Sequence, residues 1–203
     1  MNPAVETQLR QCVEPLLKNG RQGDWDHTLR ALDFGRYLLQ HEAADEDIVI
    51  PALYLHDIGW SRVDFSDFVQ ASPARKKDTA SLALHMQHGA DLADEILRKI
   101  GYNDIKRRTI VSIIAVHDLP EKAFTMQNLS ASVVVEADRL DRFGPESLKR
   151  YEKMFGPDYM FGTHWQEAKA MRLEGLKSWF RTPTARNLAQ KLAREMGLFD
   201  WPD

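Results

Sequence analysis

The stretch Ile48-Val49-Ile50-Pro51-Ala52-Leu53-Tyr54-Leu55-His56-Asp57-Ile58-Gly59 runs an uninterrupted apolar segment straight into an adjacent imidazole and carboxylate. Such a segment belongs in a core, and it carries His56 and Asp57 inward with it. A carboxylate removed from water needs a cation or well-placed donors to compensate its lost hydration. The same residue types recur along the chain as His27, His85 and His88, His117-Asp118 and Asp138, each near the end of a helical segment. Most of the 7 histidines fall in this series, and imidazole mixed with carboxylate suits Mn, Fe, Ni, Zn or Mg. The pattern points to a metal site.

Around this stretch the apolar spacing is helical throughout. Val5, Leu9, Cys12, Val13, Leu16 and Leu17 share one side of a helix over about 5–18, stopped by Asn19-Gly20. A second helix over 24–41 carries His27, Leu32, Phe34, Leu38 and Leu39. Asp45 is the expected N-cap of a third, with Glu46 and Asp47 in its first turn and His56-Asp57 at its end. Residues 59–77 break the pattern. Asp78 is then the expected cap of a helix carrying Leu82, Leu84, Ala90, Ala93, Ile96, Leu97 and Ile100 and stopped by Gly101. Further helices are expected over 105–117, 130–140, 165–180 and 184–196. Val133-Val134-Val135 alone would suit a strand, but its flanks favour a buried helix. The expectation is an all-α helical bundle forming one domain over 1–203, with a metal-site core at about 24–144 completed by helices from 145 onward.

The order His, His-Asp, His, His, Asp has three local forms: His27-Thr28-Leu29-Arg30, Leu53-Tyr54-Leu55-His56-Asp57-Ile58-Gly59 and Glu136-Ala137-Asp138-Arg139-Leu140-Asp141. Together they resemble the HD-domain metal-dependent phosphohydrolase superfamily. A weaker likeness at Arg181-Thr182-Pro183-Thr184-Ala185-Arg186-Asn187-Leu188-Ala189 is similar to the closing segment of some predicted HD hydrolases. The resemblance implies His27, His56, Asp57 and Asp138 as ligands of a first divalent ion, with Asp57 catalytic and shared with a second ion where one binds. His85, four residues before Gly89-Ala90, and His117 resemble the additional histidines of two-metal members. His85 is favoured over His88, which with Asp141 is expected to support the ligands from behind. One ion of Mn, Ni, Mg, Zn or Fe is expected, two being possible. Asp118 reads as an N-cap or turn residue before Pro120, and His41 and His164 as solvated.

Composition narrows the function classes. With 203 residues, 43% hydrophobic and 28% charged, the chain can bury a substantial core. A net charge of -3 gives no case for nonspecific nucleic-acid binding. One cysteine, Cys12, allows no intrachain disulfide and reads as a small core hydrophobe. The opening Met1-Asn2-Pro3-Ala4-Val5-Glu6 has no signal-peptide pattern and no apolar run approaches a membrane span, so a cytoplasmic protein is expected.

The activity implied is hydrolysis of a phosphoester or phosphoanhydride of a small molecule, a nucleotide by family tendency, through attack of metal-bound hydroxide. Cations for the phosphate are expected from Arg30, one helical turn after His27, from Arg62, and from Arg75-Lys76-Lys77. Residues 60–74, with Phe65 and Phe68, are expected to form a lid. Two other classes fit the same residues: a di-iron oxygenase using all six ligands, and a noncatalytic nucleotide-sensing module. The C-terminal apolar set Trp165, Trp179, Phe180, Leu198, Phe199 and Trp201 suits either core packing or a homodimer.

Overall fold

The computed structural model describes residues 1–156 and 163–197, and every regular element among them is helical. Leu198, Phe199 and Trp201, the tail of the apolar set considered for a dimer, lie outside the described residues. The α-helices are α1 (Pro3–Lys18), α2 (Asp24–Leu39), α3 (Glu46–Leu55), α4 (Ser66–Gln70), α5 (Ala80–Lys99), α6 (Asp104–Ile114), α7 (Pro120–Thr125), α8 (Leu129–Leu140), α9 (Pro145–Phe155), α10 (Thr163–Ser178) and α11 (Pro183–Glu195). Tight 3-10 turns fill Ile58–Arg62, Pro73–Asp78 and Asp141–Phe143. The Val133-Val134-Val135 run is helical, as its flanks required.

The apolar stretch of α3 is the axis of the core. Val49 through Leu55 are all buried, with α2, α6 and α8 packed around them. Its side chains join Leu9, Val13 and Leu17 of α1, Leu32 and Leu38 of α2, Ile110 and Ile114 of α6, and Val133, Val134 and Ala137 of α8 in one cluster. Cys12 packs against the edge of that cluster, half-buried, as its spacing suggested. Asp45 caps α3 by accepting from the Asp47 amide at 2.9 Å. The core therefore holds the C-terminal end of α3 rigidly, and that end is where His56 and Asp57 sit.

Three local expectations are corrected. Asp78 does not cap α5: Thr79 holds that position without a side-chain bond, and Asp67 of α4 accepts from the Ser81 amide at 3.2 Å. A carboxylate distant in sequence thus does the work of a local cap. Leu84 is 43% exposed and is no part of the core. The sixth helix stops at Ile114, three residues short, because His117 folds back and its Nδ1 meets the Ile114 carbonyl at 2.8 Å.

Residues 60–74 are ordered into short helical turns, and Phe68, Pro73 and Ala74 line the cavity. Trp60 is 1% exposed and gathers Phe65, Phe68, Leu82 and Met86 into a small separate cluster. Gly59 makes this possible. A Cβ placed there would stand 1.9 Å from the His85 carbonyl and 2.6 Å from the Gly89 amide, so only glycine lets α5 lie this close to the chain after Asp57. The trailing glycine of the opening stretch is a packing requirement that delivers His85.

Glu136 ties the C-terminal helices to the core. Buried on α8, it accepts from the Arg181 and Thr182 amides and from the Thr182 hydroxyl at 2.6 Å. Thr182 in turn caps α11 at the Ala185 amide. The Arg181–Ala189 segment is held by this network. Glu136→Ala, which strands two buried donors, should cost at least about 2 kcal/mol and lower Tm by roughly 4–8 °C in a chain of this size. Glu136→Gln should retain most of the stability in thermal unfolding. Gly59→Ala should be destabilised by about 1–3 kcal/mol or more through overpacking, measurable by urea titration.

Candidate metal centre

Four helix ends deliver the polar residues to one place. His27 lies in the first turns of α2, His56 and Asp57 follow α3, His117-Asp118 follows α6, and Asp138 sits near the end of α8. His85 comes from the middle of α5, drawn in over Gly59. All seven are nearly or completely buried.

They form two groups that share Asp57. On one side, Asp57 Oδ2 lies 3.7 Å from His27 Nε2 and 3.6 Å from His56 Nε2. The two imidazole nitrogens stand 3.2 Å apart, and Asp138 Oδ1 is 3.0 Å from His27 Nε2 and 3.8 Å from His56 Nε2. On the other side, Asp57 Oδ1 lies 3.9 Å from His85 Nε2 and 3.7 Å from His117 Nε2, which are 3.4 Å from each other. Asp118 Oδ2 completes this group at 3.2 Å from His85 and 3.6 Å from His117. Donor atoms of His27, His56 and Asp57, and of Asp57, His85, His117 and Asp118, lie within 4.8 Å of one another in each group.

The imidazoles are held from behind in the manner of metal-binding histidines. His27 Nδ1 meets Asp141 Oδ2 at 2.7 Å, and His56 Nδ1 meets the Leu53 carbonyl at 2.8 Å. With the His117 bond to Ile114, these contacts turn each Nε2 toward the centre. His85 is oriented instead by its ring, which stacks on Trp60 with centroids 4.0 Å apart.

The electrostatics are those of a site crowded with titratable groups. Burial pushes His27 down and Arg150 adds to that, but hydrogen bonds to Asp138 and Asp141 outweigh both and raise it to about 9. Burial likewise lowers His117, and the nearby carboxylates of Asp57 and Asp118 outweigh this and raise it to about 9. Burial dominates at His56 and at His85 and lowers both. Burial would raise Asp57, but the charges of His56 and Arg21 hold it well below the usual carboxylate range.

The residues fit a divalent ion. Both groups mix imidazole nitrogen with carboxylate oxygen, the donor set of Mn, Fe, Ni or Zn. Among the described residues Asp138 Oδ2 is buried without a hydrogen-bond partner, Arg139 Nη1 standing 3.8 Å away, and it offers a lone pair of the kind a cation takes up.

The expected residues are partly brought together. His27, His56, Asp57, Asp138, His85 and His117 converge, and His88 stands apart from both groups, half-buried on α5. Asp141 holds Arg30 as well as His27: the Arg30 Nε and Nη2 both donate to it, the latter at 3.0 Å. Arg30, expected to hold phosphate, is thereby committed to this buttress. Arg62 is half-exposed and faces Glu95 at 3.8 Å on the surface. Lys76 and Lys77 do border the cavity, whereas Arg75 is exposed and pairs with Asp78. His41 and His164 are exposed, as expected.

Asp118 is a correction. It is no turn residue alone: its Oδ1 pairs with Arg139 at 2.9 Å and Arg142 at 3.3 Å while its Oδ2 faces the histidines. The signal was present in the sequence, since His117-Asp118 repeats the His56-Asp57 pair at another helix end. Arg21, in the turn before α2, Arg142, in the tight turn after α8, and Arg150, on α9, had no such signal, because none of them lies in a motif that marks it for the site.

Above the two groups opens a cavity of about 500 Å³. His27, Asp57, Asp118 and Asp138 form its floor; Arg21, Lys76, Arg139, Arg142, Arg150 and Arg172 form a basic wall. Phe68, Leu82, Met154, Met171 and Trp179 supply apolar surface.

The chain is similar to known proteins along most of its length. A protein of Bacillus subtilis (strain 168), the uncharacterized protein YpgQ, is 27% identical over 190 residues, covering 91% of this chain and 84% of its own. The crystal structure of a predicted HD superfamily hydrolase from an uncultured Thermotogales bacterium shares the fold, with a TM-score of 0.57 at 19% identity over 96% of this chain and 86% of that one. The HD domain family model matches residues 24–142, more than half of the chain and the span that carries every ligand candidate, so this protein belongs to the HD domain family.

Proposed function

We propose that this protein is a metal-dependent phosphohydrolase acting on a phosphoester or phosphoanhydride of a small molecule, with a nucleotide as the substrate class. The observation that carries the reading is that Lys76, Arg142 and Arg150 line the same cavity as His27, Asp57 and Asp138. Guanidinium and ammonium groups in a partly desolvated cleft are suited to phosphate oxygens. The flat apolar surface of Phe68 and Trp179 beside them favours a substrate with an aromatic part.

His27, His56, Asp57 and Asp138 would hold the first ion, and Asp57, His85, His117 and Asp118 a second. A bound divalent ion supplies Lewis acidity toward a phosphoryl oxygen and lowers the pKa of water. Asp57 is the catalytic residue of this reading, its carboxylate kept ionised by His56 and Arg21 despite burial. Arg142 and Arg150 place positive charge where the phosphoryl group gains negative charge. Tyr151 and Met154 of α9, with Trp179, narrow the cavity and limit water around the reacting bond. The C-terminal helices complete the same domain, since α10 carries Met171 and Arg172 into the cavity wall.

The di-iron oxygenase reading uses six of these residues, His27, His56, Asp57, Asp138, His85 and His117, and metal content separates the two. Protein purified without chelator is expected to carry Mn, Ni, Mg or Zn and to hydrolyse phosphate esters. Two irons per chain with an oxygen-dependent colour would replace this reading with the oxygenase. Chelation should abolish the hydrolysis, and added Mn or Ni should restore it.

Lys76 generates a pH dependence. Burial, with Arg21 and Arg142 nearby, lowers its pKa to about 8. The ammonium is present below that value and lost above it, so attraction for phosphate is full at neutral pH and fades as pH rises through about 8. KM should therefore climb over that range while kcat changes less. Lys76→Met should raise KM by about tenfold at neutral pH, the loss of one charge-assisted contact, and should flatten the profile. A KM that ignores both pH and the substitution would remove Lys76 from the substrate site.

A further inference from the structure

Arg21 and Trp60 were not among the residues expected at the site, and both donate to Asp57. Arg21 Nη2 lies 2.9 Å from Asp57 Oδ2, the oxygen that faces His27 and His56. Trp60 Nε1 lies 3.1 Å from Asp57 Oδ1, the oxygen that faces His85 and His117. Each carboxylate oxygen thus has one hydrogen-bond donor and one pair of imidazoles, with Arg150 Nη2 farther off at 3.9 Å from Oδ2. A carboxylate oxygen accepts through two lone pairs, so one is used by the donor and the other is left toward the histidines.

The two donors are themselves fixed. The Arg21 guanidinium sits 3.9 Å from the centroid of the Trp60 ring and also pairs with Asp24, which is fully buried and held in turn by Arg150. Trp60 is 1% exposed and carries His85 stacked on its ring. The indole therefore acts on the His85 side twice, through its N–H on Asp57 Oδ1 and through the stack. Arg21 acts on the opposite oxygen alone.

We propose that Arg21 and Trp60 are positioning residues that lock the rotation of Asp57 so that it bridges two ions, Trp60 serving the His85–His117–Asp118 group and Arg21 the His27–His56–Asp138 group. This rests on the metal-centre reading above, but its test uses no substrate, so a failure of the hydrolase reading leaves it intact and the reverse also holds.

The test is a titration of metal-free protein with Co(II), following heat for stoichiometry and visible absorption for the coordination of each ion. His85→Ala and Asp138→Ala provide reference spectra for the protein with one group disabled. The wild-type chain should bind two ions. Trp60→Phe, which keeps an aromatic ring under His85 and removes only the N–H and part of the ring, should weaken one ion by about 10–100-fold, leaving a spectrum like that of His85→Ala. Arg21→Lys should do the converse and leave a spectrum like that of Asp138→Ala. Thermal unfolding and circular dichroism of each metal-free variant confirm the fold; if Arg21→Lys does not fold, Arg21→Gln and the Trp60→Phe arm decide. Equal weakening of both ions by either variant, no change in either ion, or one ion per chain in the wild type would overturn the proposal.

Discussion

A carboxylate at the inner end of an apolar helix, surrounded by imidazoles, is held there only if opposite charge or donors reach it from several directions. Asp57 is in that position: 4% exposed, following the most apolar helix of the molecule, with four histidine nitrogens between 3.6 and 3.9 Å from its oxygens. Uncompensated, such burial costs several kcal/mol. The arrangement around it satisfies that demand, with Arg21 and Trp60 on one set of lone pairs and the histidines on the other.

Much of the fold can be understood as what brings those partners to Asp57. The core around Val49–Leu55 fixes the end of α3. Gly59 removes the one Cβ that would keep α5 and His85 away. Carbonyls at Leu53 and Ile114 and the Asp141 carboxylate turn three imidazoles inward, so His56, His117 and His27 each spend a second nitrogen on the scaffold while His85 is held by its stack on Trp60. Asp141 is steadied by Arg30, which makes an arginine near the site a support for a support.

The remaining charge balance is carried by residues from farther along the chain. Arg139 and Arg142 hold Asp118, and Arg150 reaches Asp24 from α9. Their guanidinium groups border the same cavity as the acidic floor, so groups that neutralise the buried carboxylates also line the space a phosphate would enter. Structural neutralisation and substrate attraction draw on one set of arginines, which is why their separate contributions are best read through KM, pH profile and metal affinity together.

The sequence by itself determined the helical class, the burial of the α3 stretch, and six of the residues that converge, because apolar periodicity and adjacent His-Asp pairs are local signals written at fixed spacing. It also carried the likeness that the family match over 24–142 supports. Only the tertiary structure decided that Asp118 joins His85 and His117, that Arg30 is tied to Asp141, and that Arg21, Arg142 and Arg150 come to the cavity. With 6 residues α7 is too short to display a period, and the 11 residues of α9 are mostly polar with only Ser147 buried, so neither offers a long apolar stripe to read. The direction of a long side chain depends on which carboxylate lies within reach after the helices pack, and that distance does not exist until the chain has folded.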